Sequence, residues 1–186
     1  MTNIWKDFEG NNWFNRNKSY IDNKDLSNDP IIKIIDLYDL KPDSIIDIGS
    51  SNGYRVNYIK DRVKSSINFA VDPSKEAIDD GKSKYPDINF INCLGEELNI
   101  QEKFDLVIIN FVFHWVYREN LFKFLYNIDS LVKENGFLII GDFGVDSFIK
   151  REYSHLKDNS FHTWKQQYDN IFTSSGNYLE IAKLRF

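Results

Sequence analysis

The stretch SIIDIGSSNGY, residues 44–54, constrains this chain more than any other part of it. Ile45, Ile46 and Ile48 form a short β-branched run, the composition of a strand buried on both faces of a sheet. The run carries an acidic residue, Asp47, and leads into a turn with room for no side chain at Gly49 and Gly53. Val56, Tyr58 and Ile59 then set a helical period. A strand, a small-residue turn and a helix N-terminus together make a ligand site at the carboxyl edge of an α/β sheet. Asp47 restricts the ligand: it stands where a dinucleotide's pyrophosphate would approach, and like charges repel there. A ligand with a cationic end and no phosphate suits the turn better.

The elements that follow have the rhythm of an α/β sandwich. Upstream, Asp29-Pro30 places a capping side chain before a proline at the first helical position, and Ile31, Ile34, Ile35 and Tyr38 continue a helix to Leu40. Residues 54–63 read as the first crossover helix, and Ile67–Asp72 as a second strand that also ends in a carboxylate. Asp72 lies 25 positions after Asp47, where nucleotide-binding α/β folds place an acidic residue on the ribose hydroxyls. A plain N-cap beside Pro73 is its competing role. Ile88–Asn92 is expected to be a third strand, and Phe104–Asn110, apolar almost throughout, a central fourth. Leu121, Phe124, Leu125, Ile128, Leu131 and Val132 form the buried face of a helix that Asn135-Gly136 ends, and Phe137–Phe143 reads as the fifth strand.

Asp47-x-Gly49-x-Ser51-x-Gly53 resembles the first motif of the class I S-adenosylmethionine-dependent methyltransferases, with Ser51 in place of the usual middle glycine. Asn110 followed by Phe-Val-Phe-His114-Trp115 resembles their fourth motif, and LVKENGFLII, residues 131–140, their helix-to-strand signature after it. The resemblance covers about residues 43–143. It implies a Rossmann-like three-layer αβα sandwich with a mostly parallel sheet, S-adenosylmethionine as cofactor (S-adenosylhomocysteine as product) and a small-molecule acceptor methylated on oxygen or nitrogen. It assigns Asp47, Gly49, Ser50, Ser51, Gly53, Asp72, Pro73, Glu96, Asn110 and Phe111 to the cofactor, with Glu96, or Glu97 as fallback, meeting the adenine amino group. The family closes its sheet with an antiparallel hairpin that is only half visible here. The general character of the chain also resembles methyltransferases of bacterial surface-polysaccharide biosynthesis, whose acceptors include sugars, nucleotide-linked intermediates and phosphoramidates.

For a hydroxyl acceptor a base is needed, and His114, just past the central strand, is the first candidate; lining the pocket beside Trp115 is its other role. Residues 1–28 are polar yet hold Trp5, Phe8, Trp13, Phe14 and Tyr20, too many rings for a disordered tail. They are expected either to pack on the domain formed by residues 29–186 or to act as a lid. Trp13, Arg16 and Tyr20 from this segment, with His114, Trp115, Arg151 and His155, are the candidate acceptor-pocket residues. Arg16 and Arg151 suit an anionic acceptor.

Composition excludes much else. A net charge of -5 argues against broad nucleic-acid binding. One cysteine, Cys93, permits neither an internal disulfide nor a multi-thiolate metal site, and three scattered histidines predict no metal. With no signal-like leader and no apolar run of membrane-spanning length, the chain is expected to be cytoplasmic and not membrane-inserted. Toward the C-terminus, Thr163–Phe172 is expected to be helical and Tyr178–Phe186 a strand, and either the chain is truncated before its hairpin partner or the open edge is covered by a partner, such as a second copy in a homodimer. Two other functions compete. A degenerate fold of this type could serve as a cofactor-binding or activating subunit. Gly49-x-x-x-Gly53 with Tyr153-x-x-x-Lys157 echoes a short-chain oxidoreductase using NAD(P), against which Arg55 occupies the third glycine position.

Overall fold

The computed structural model describes residues 3–156 and 161–185. Five parallel strands form one sheet: β1 (Ser44–Ile48), β2 (Ile67–Asp72), β3 (Asn89–Asn92), β4 (Phe104–Asn110) and β5 (Val132–Gly141), in the order β3-β2-β1-β4-β5. The chain builds outward from β1 through β2 to β3 and then returns to the other side of β1. The direction of winding therefore reverses between β1 and β4, which opens a crevice beyond their carboxyl ends. Every residue of β1 is buried, as its β-branched run requires.

Helices cover both faces. On one, Ile31, Ile32 and Ile35 of α2 (Pro30–Leu37) and Ile59 of α3 (Tyr54–Val63) pack on Ile45, Leu106, Ile108 and Ile139. Val56 of α3 meets Ala70 and Ile88 beside α4 (Lys75–Lys84). On the other face, Phe124, Leu125 and Ile128 of α5 (Leu121–Leu131) join Phe113, Tyr168 and Phe172 over Ile46, Ile48, Val107 and Ile109. The expected three-layer sandwich is thus present. The Asp29 side chain caps α2, accepting from the Ile31 N–H at 3.0 Å. No helix of the described residues is long and apolar enough to cross a membrane.

The N-terminal segment is helical: a π-helical turn (Trp5–Glu9) runs into α1 (Gly10–Asp22), which packs on α4. A β-carbon at Gly10 would stand 2.5 Å from the Trp5 carbonyl and 3.3 Å from the Ser74 amide. Asn11 accepts from the Ser74 hydroxyl at 2.8 Å, joining α1 to the cap of α4.

Three expectations beyond β4 need correction. The helix α5 ends at Leu131 rather than at Asn135-Gly136. Val132 already pairs with Phe104, and residues 133–136 bulge before Phe137 resumes pairing opposite Leu106, with Asn135 at φ +61°. Residues 163–172 are not one helix: β7 (His162–Lys165) pairs antiparallel with β6 (Ile149–Glu152) in a separate two-stranded sheet, and α6 spans only Asp169–Thr173. Residues 178–185 form no strand, and the outer edge of β5 pairs with no strand among the described residues. Tyr178 instead bonds Asp129 of α5, and the Tyr38 hydroxyl beyond α2 bonds the Ile181 carbonyl at 3.1 Å. The terminal segment therefore crosses the sheet edge from one helical layer to the other. Side-chain anchors on both layers hold it without backbone pairing.

Candidate functional site

The turn after β1 folds as its small residues demand. Gly49 and Gly53 both adopt φ +76°, and a β-carbon on Gly49 would collide with Val112 at 2.2 Å. Ser51 adopts φ +55° despite its side chain, and its buried hydroxyl has no hydrogen-bond partner. The Ser50 hydroxyl is turned inward to the Val71 carbonyl at 3.3 Å. A cavity of about 730 Å³ begins over this turn, where Gly49, Ser51, Asp72, Pro73, Glu96, Asn110, Phe111, His114 and Trp115 line it, and continues along β5 to residues 178–185.

Asp47 does not itself reach the cavity. Fully buried between Ala70 and Ile108 in the sheet register, it accepts from Arg55 at 3.3 Å, and its Oδ1 has no partner. Arg55, on the first turn of α3, also bonds Asp29 at 3.4 Å, and Lys24 joins Asp29 at 2.9 Å. Asp29 and Arg55 line the cavity wall. Burial pushes the Asp47 carboxyl up to about 6, with Arg55 drawing it back. Burial also works against the Asp29 charge, but Arg55, Lys24 and the Ile31 N–H together hold it below the usual carboxylate range. The result is a buried alternation of opposite charges, Asp47–Arg55–Asp29–Lys24. It offers both an anion and a cation to a zwitterionic amino-acid group.

Asp72 faces the same cavity. One of its oxygens accepts from the Ser51 N–H at 2.7 Å and the other from the Ser74 N–H at 2.8 Å. A carboxylate has about four acceptor positions, so two stay available for ligand hydroxyls. Burial lifts this group to about 6 against those two hydrogen bonds. Ser74, not Asp72, caps α4 through its hydroxyl. Glu96, on a 3-10 turn, accepts from Asn120 at 2.9 Å and lies 3.5 Å from the Asn3 amide. Beside it the Trp5 indole stacks on Trp115 with centroids 4.4 Å apart, its buried N–H without a partner.

At the end of β4, Asn110 packs over Gly141, and Phe111 turns into φ +56°, a conformation that β-carbon-bearing residues seldom adopt. His114 follows on a 3-10 turn, buried and held by Asp142, the residue after β5. An ionised carboxylate only accepts, so in a neutral imidazole the Asp142 contact puts the proton on His114 Nδ1 and the lone pair on Nε2.

The other candidate acceptor residues divide. Trp13 and Tyr20 line the cavity, Trp13 edge-on to Trp115 at 6.0 Å. Arg16 does not: it pairs with the buried Glu9 at 2.6 Å and bonds the Tyr153 hydroxyl, which donates to Glu9 at 2.8 Å. Arg151 lies on β6 beside a second cavity. His155 is exposed, 5.3 Å from the Tyr153 ring and outside both cavities. The Tyr153 hydroxyl, engaged by Glu9 and Arg16, is unsuited to the oxidoreductase role; Lys157 lies outside the described residues. Sequence reasoning missed Arg55, Asp29 and Asp142 as site residues. Asp142 had a readable signal, since it directly follows the apolar run of β5, much as Asp72 closes that of β2.

A methyltransferase-domain family model matches residues 46–140, just over half of the chain. Among curated proteins, malonyl-[acyl-carrier protein] O-methyltransferase of Acetivibrio thermocellus is 28% identical over 127 residues, covering 66% of this chain and 44% of that protein. Protein 235L of Invertebrate iridescent virus 6 is 29% identical over 97 residues, covering 52% and 36%. The chain thus spans less than half the length of these curated relatives. Among solved structures, the 1,6-didemethyltoxoflavin-N1-methyltransferase of Burkholderia thailandensis, bound to 1,6-didemethyltoxoflavin and S-adenosylhomocysteine, superimposes with TM-score 0.62. It is 17% identical, covering 92% of this chain and 77% of that one. A complex of DhpI with S-adenosylhomocysteine gives 0.61 at 14% identity, covering 94% and 88%. At such identities the likeness is one of fold.

Proposed function

We propose, for a chain that belongs to the methyltransferase-domain family, that it transfers the methyl group of S-adenosylmethionine to an oxygen or nitrogen of a small-molecule acceptor. The observation that carries this reading is the set of unsatisfied polar atoms around the β1 turn. The Ser51 hydroxyl, the Asp47 Oδ1 and the Arg55 Nε are buried without partners, three of the four such side-chain atoms among the described residues, the fourth being the Trp5 indole N–H on the same cavity. They gather where the winding of the sheet reverses, next to a carboxylate with spare acceptor capacity.

The cofactor supplies an activated, electrophilic methyl on a sulfonium. The chain's residues bind and orient around it. Asp72 accepts from the ribose hydroxyls, with Pro73 shaping that wall. The Asp29–Arg55–Asp47 cluster receives the amino-acid end, Arg55 toward its carboxylate and Asp29 toward its ammonium. Glu96, Leu94 and Trp5 enclose the base. Asn110 and Phe111 border the reacting end, and His114 Nε2, in the tautomer set by Asp142, takes the proton of a hydroxyl acceptor. The N-terminal segment, from residue 3 to residue 28, closes the cavity with Trp5, Trp13 and Tyr20, as a lid. Alignment of acceptor and methyl group is the main catalytic contribution, for which positioning can supply roughly 7–11 kcal/mol. An intermediate of surface-glycan biosynthesis, whether sugar, nucleotide-linked or phosphoramidate, is the acceptor that the sequence resemblance favours.

Isothermal titration with S-adenosylmethionine, S-adenosylhomocysteine and NAD tests the reading. Micromolar binding of the first two and none of NAD is expected. Binding of NAD alone would overturn it, and binding of none would favour a subunit without catalysis.

A further inference from the structure

A second cavity, of about 420 Å³, adjoins the first across the wall formed by Phe111, Asp142 and Phe143. Its outer side is the β6–β7 hairpin. Ile149 stands opposite Lys165 and Arg151 opposite Thr163, so the side chains of Ile149, Arg151, Thr163 and Lys165 share one face, and Arg151 and Lys165 both border the cavity. The other face is spent differently: Lys150 lies 5.1 Å over the Trp164 ring. Neither Arg151 nor Lys165 forms an ion pair with a carboxylate among the described residues. The Lys165 ammonium instead rests on the Phe143 ring, 3.5 Å from its centroid. The Asp142 carboxylate at the inner end is occupied by His114 and by the Phe143 N–H at 2.8 Å. Phe111 and Phe143, rings 5.3 Å apart, stay partly exposed in this chamber. Two cations thus border one cavity from the same hairpin face with no ion-paired carboxylate among the described residues, and Asp142, which holds His114 of the adjoining first cavity, lines the same space.

We propose that this second cavity is the acceptor's chamber, and that Arg151 and Lys165 bind an anionic group of the acceptor, a carboxylate or a phosphate. The inference rests on the methyl-transfer reading and adds the substrate class. The aromatic pair Phe111 and Phe143 covers the organic part of the molecule, while the anion anchors it on the hairpin and directs the other end toward His114. Burial and the nearby Arg151 charge lower the Lys165 ammonium from its ordinary value and the Asp142 carboxylate offsets them only in part, a remaining cost that an anion between the two cations would remove.

The test uses the S-adenosylhomocysteine-loaded full chain, titrated in turn with inorganic phosphate and with acetate and followed by amide NMR at residues 149–152 and 162–165. Saturable shifts are expected, and the tighter of the two probes identifies the anion. In the double variant Arg151→Gln/Lys165→Gln the apparent Kd should rise about tenfold or more, as loss of charge-assisted bonds predicts. Lys165→Arg, which keeps the charge, should retain saturable binding. Cofactor affinity should be unchanged in all three proteins. Non-saturable shifts, or equal affinity in the double variant, would overturn the proposal while leaving the cofactor reading intact. Failure of S-adenosylhomocysteine to bind the wild type would instead remove the premise, and phosphate and acetate titrations of the unloaded chain would still report the cation pair separately.

Discussion

The Asp142 carboxylate grips His114 at two points, accepting from its backbone N–H at 3.2 Å and lying 2.9 and 3.1 Å from ring Nδ1. The double contact fixes both where the ring stands and which nitrogen is free. If His114 acts as a base, Asp142 is a positioning residue, and Asp142→Asn should lower kcat by about 10- to 100-fold. His114→Ala should lower it by about 100-fold or more. Steady-state kinetics beside calorimetric S-adenosylhomocysteine affinity checks this. Affinity should stay within about twofold, and the pH profile of kcat should change shape in Asp142→Asn. An unaltered kcat in His114→Ala would leave the residue as pocket lining.

Ser51 combines a left-handed backbone with an orphaned, buried hydroxyl. Ser51→Gly removes both, and the protein without cofactor should gain about 1 kcal/mol, read as a higher denaturant midpoint. If the hydroxyl serves the cofactor, S-adenosylhomocysteine should bind roughly three- to tenfold more weakly to the same variant. A variant that is stabilised and binds as well as wild type would exclude Ser51 from the cofactor's contacts.

Asp47 and Asp72 each sit at about 6 in the folded chain, well above the roughly 3.9 of a free aspartate. The folded state therefore holds more protons than the unfolded one between about pH 4 and pH 6. Stability without cofactor should fall as pH rises through that window, by a few kcal/mol at most. Asp29 and Asp80, held low, act in the opposite sense only below that range, as pH falls through their folded values. Cofactor binding should run the other way and strengthen as pH rises past 6, because ribose hydroxyls need Asp72 ionised. Urea midpoints and calorimetry at pH 4.5 and 6.5 check both slopes. Asp72→Asn should flatten the binding dependence.

Glu9, Arg16 and Tyr153 fasten the N-terminal helix to the segment after β6. Tyr153→Phe removes one buried hydrogen bond to a carboxylate and should cost about 1.5–3 kcal/mol. The variant should also make residues 3–22 faster in amide exchange than the sheet. Equal protection of the two regions would show that the knot does not hold the segment.

The order of elements, the burial of β1 and β4, the glycine turn and the carboxylate ending β2 were all legible in residues 29–131. Each follows from local rules: β-branched runs, caps, a prolyl helix start and turns that only small residues permit. The sequence alone therefore determined the sandwich and the neighbourhood of the site. What tertiary structure decided is which charges meet. Arg55 looked like a missing glycine, yet it lies between Asp47 and Asp29 because α2 and α3 pack side by side on one face of the sheet. Asp142 is 28 residues from His114 in the chain and touches it only because β4 and β5 are neighbours in the sheet. Arg16 reads like a free cation from its own helix, and only folding brings Glu9 and Tyr153 onto it. Local pattern encodes burial and turn geometry residue by residue. The pairing of ionised groups depends on contacts distant in sequence, and only the packed chain fixes these.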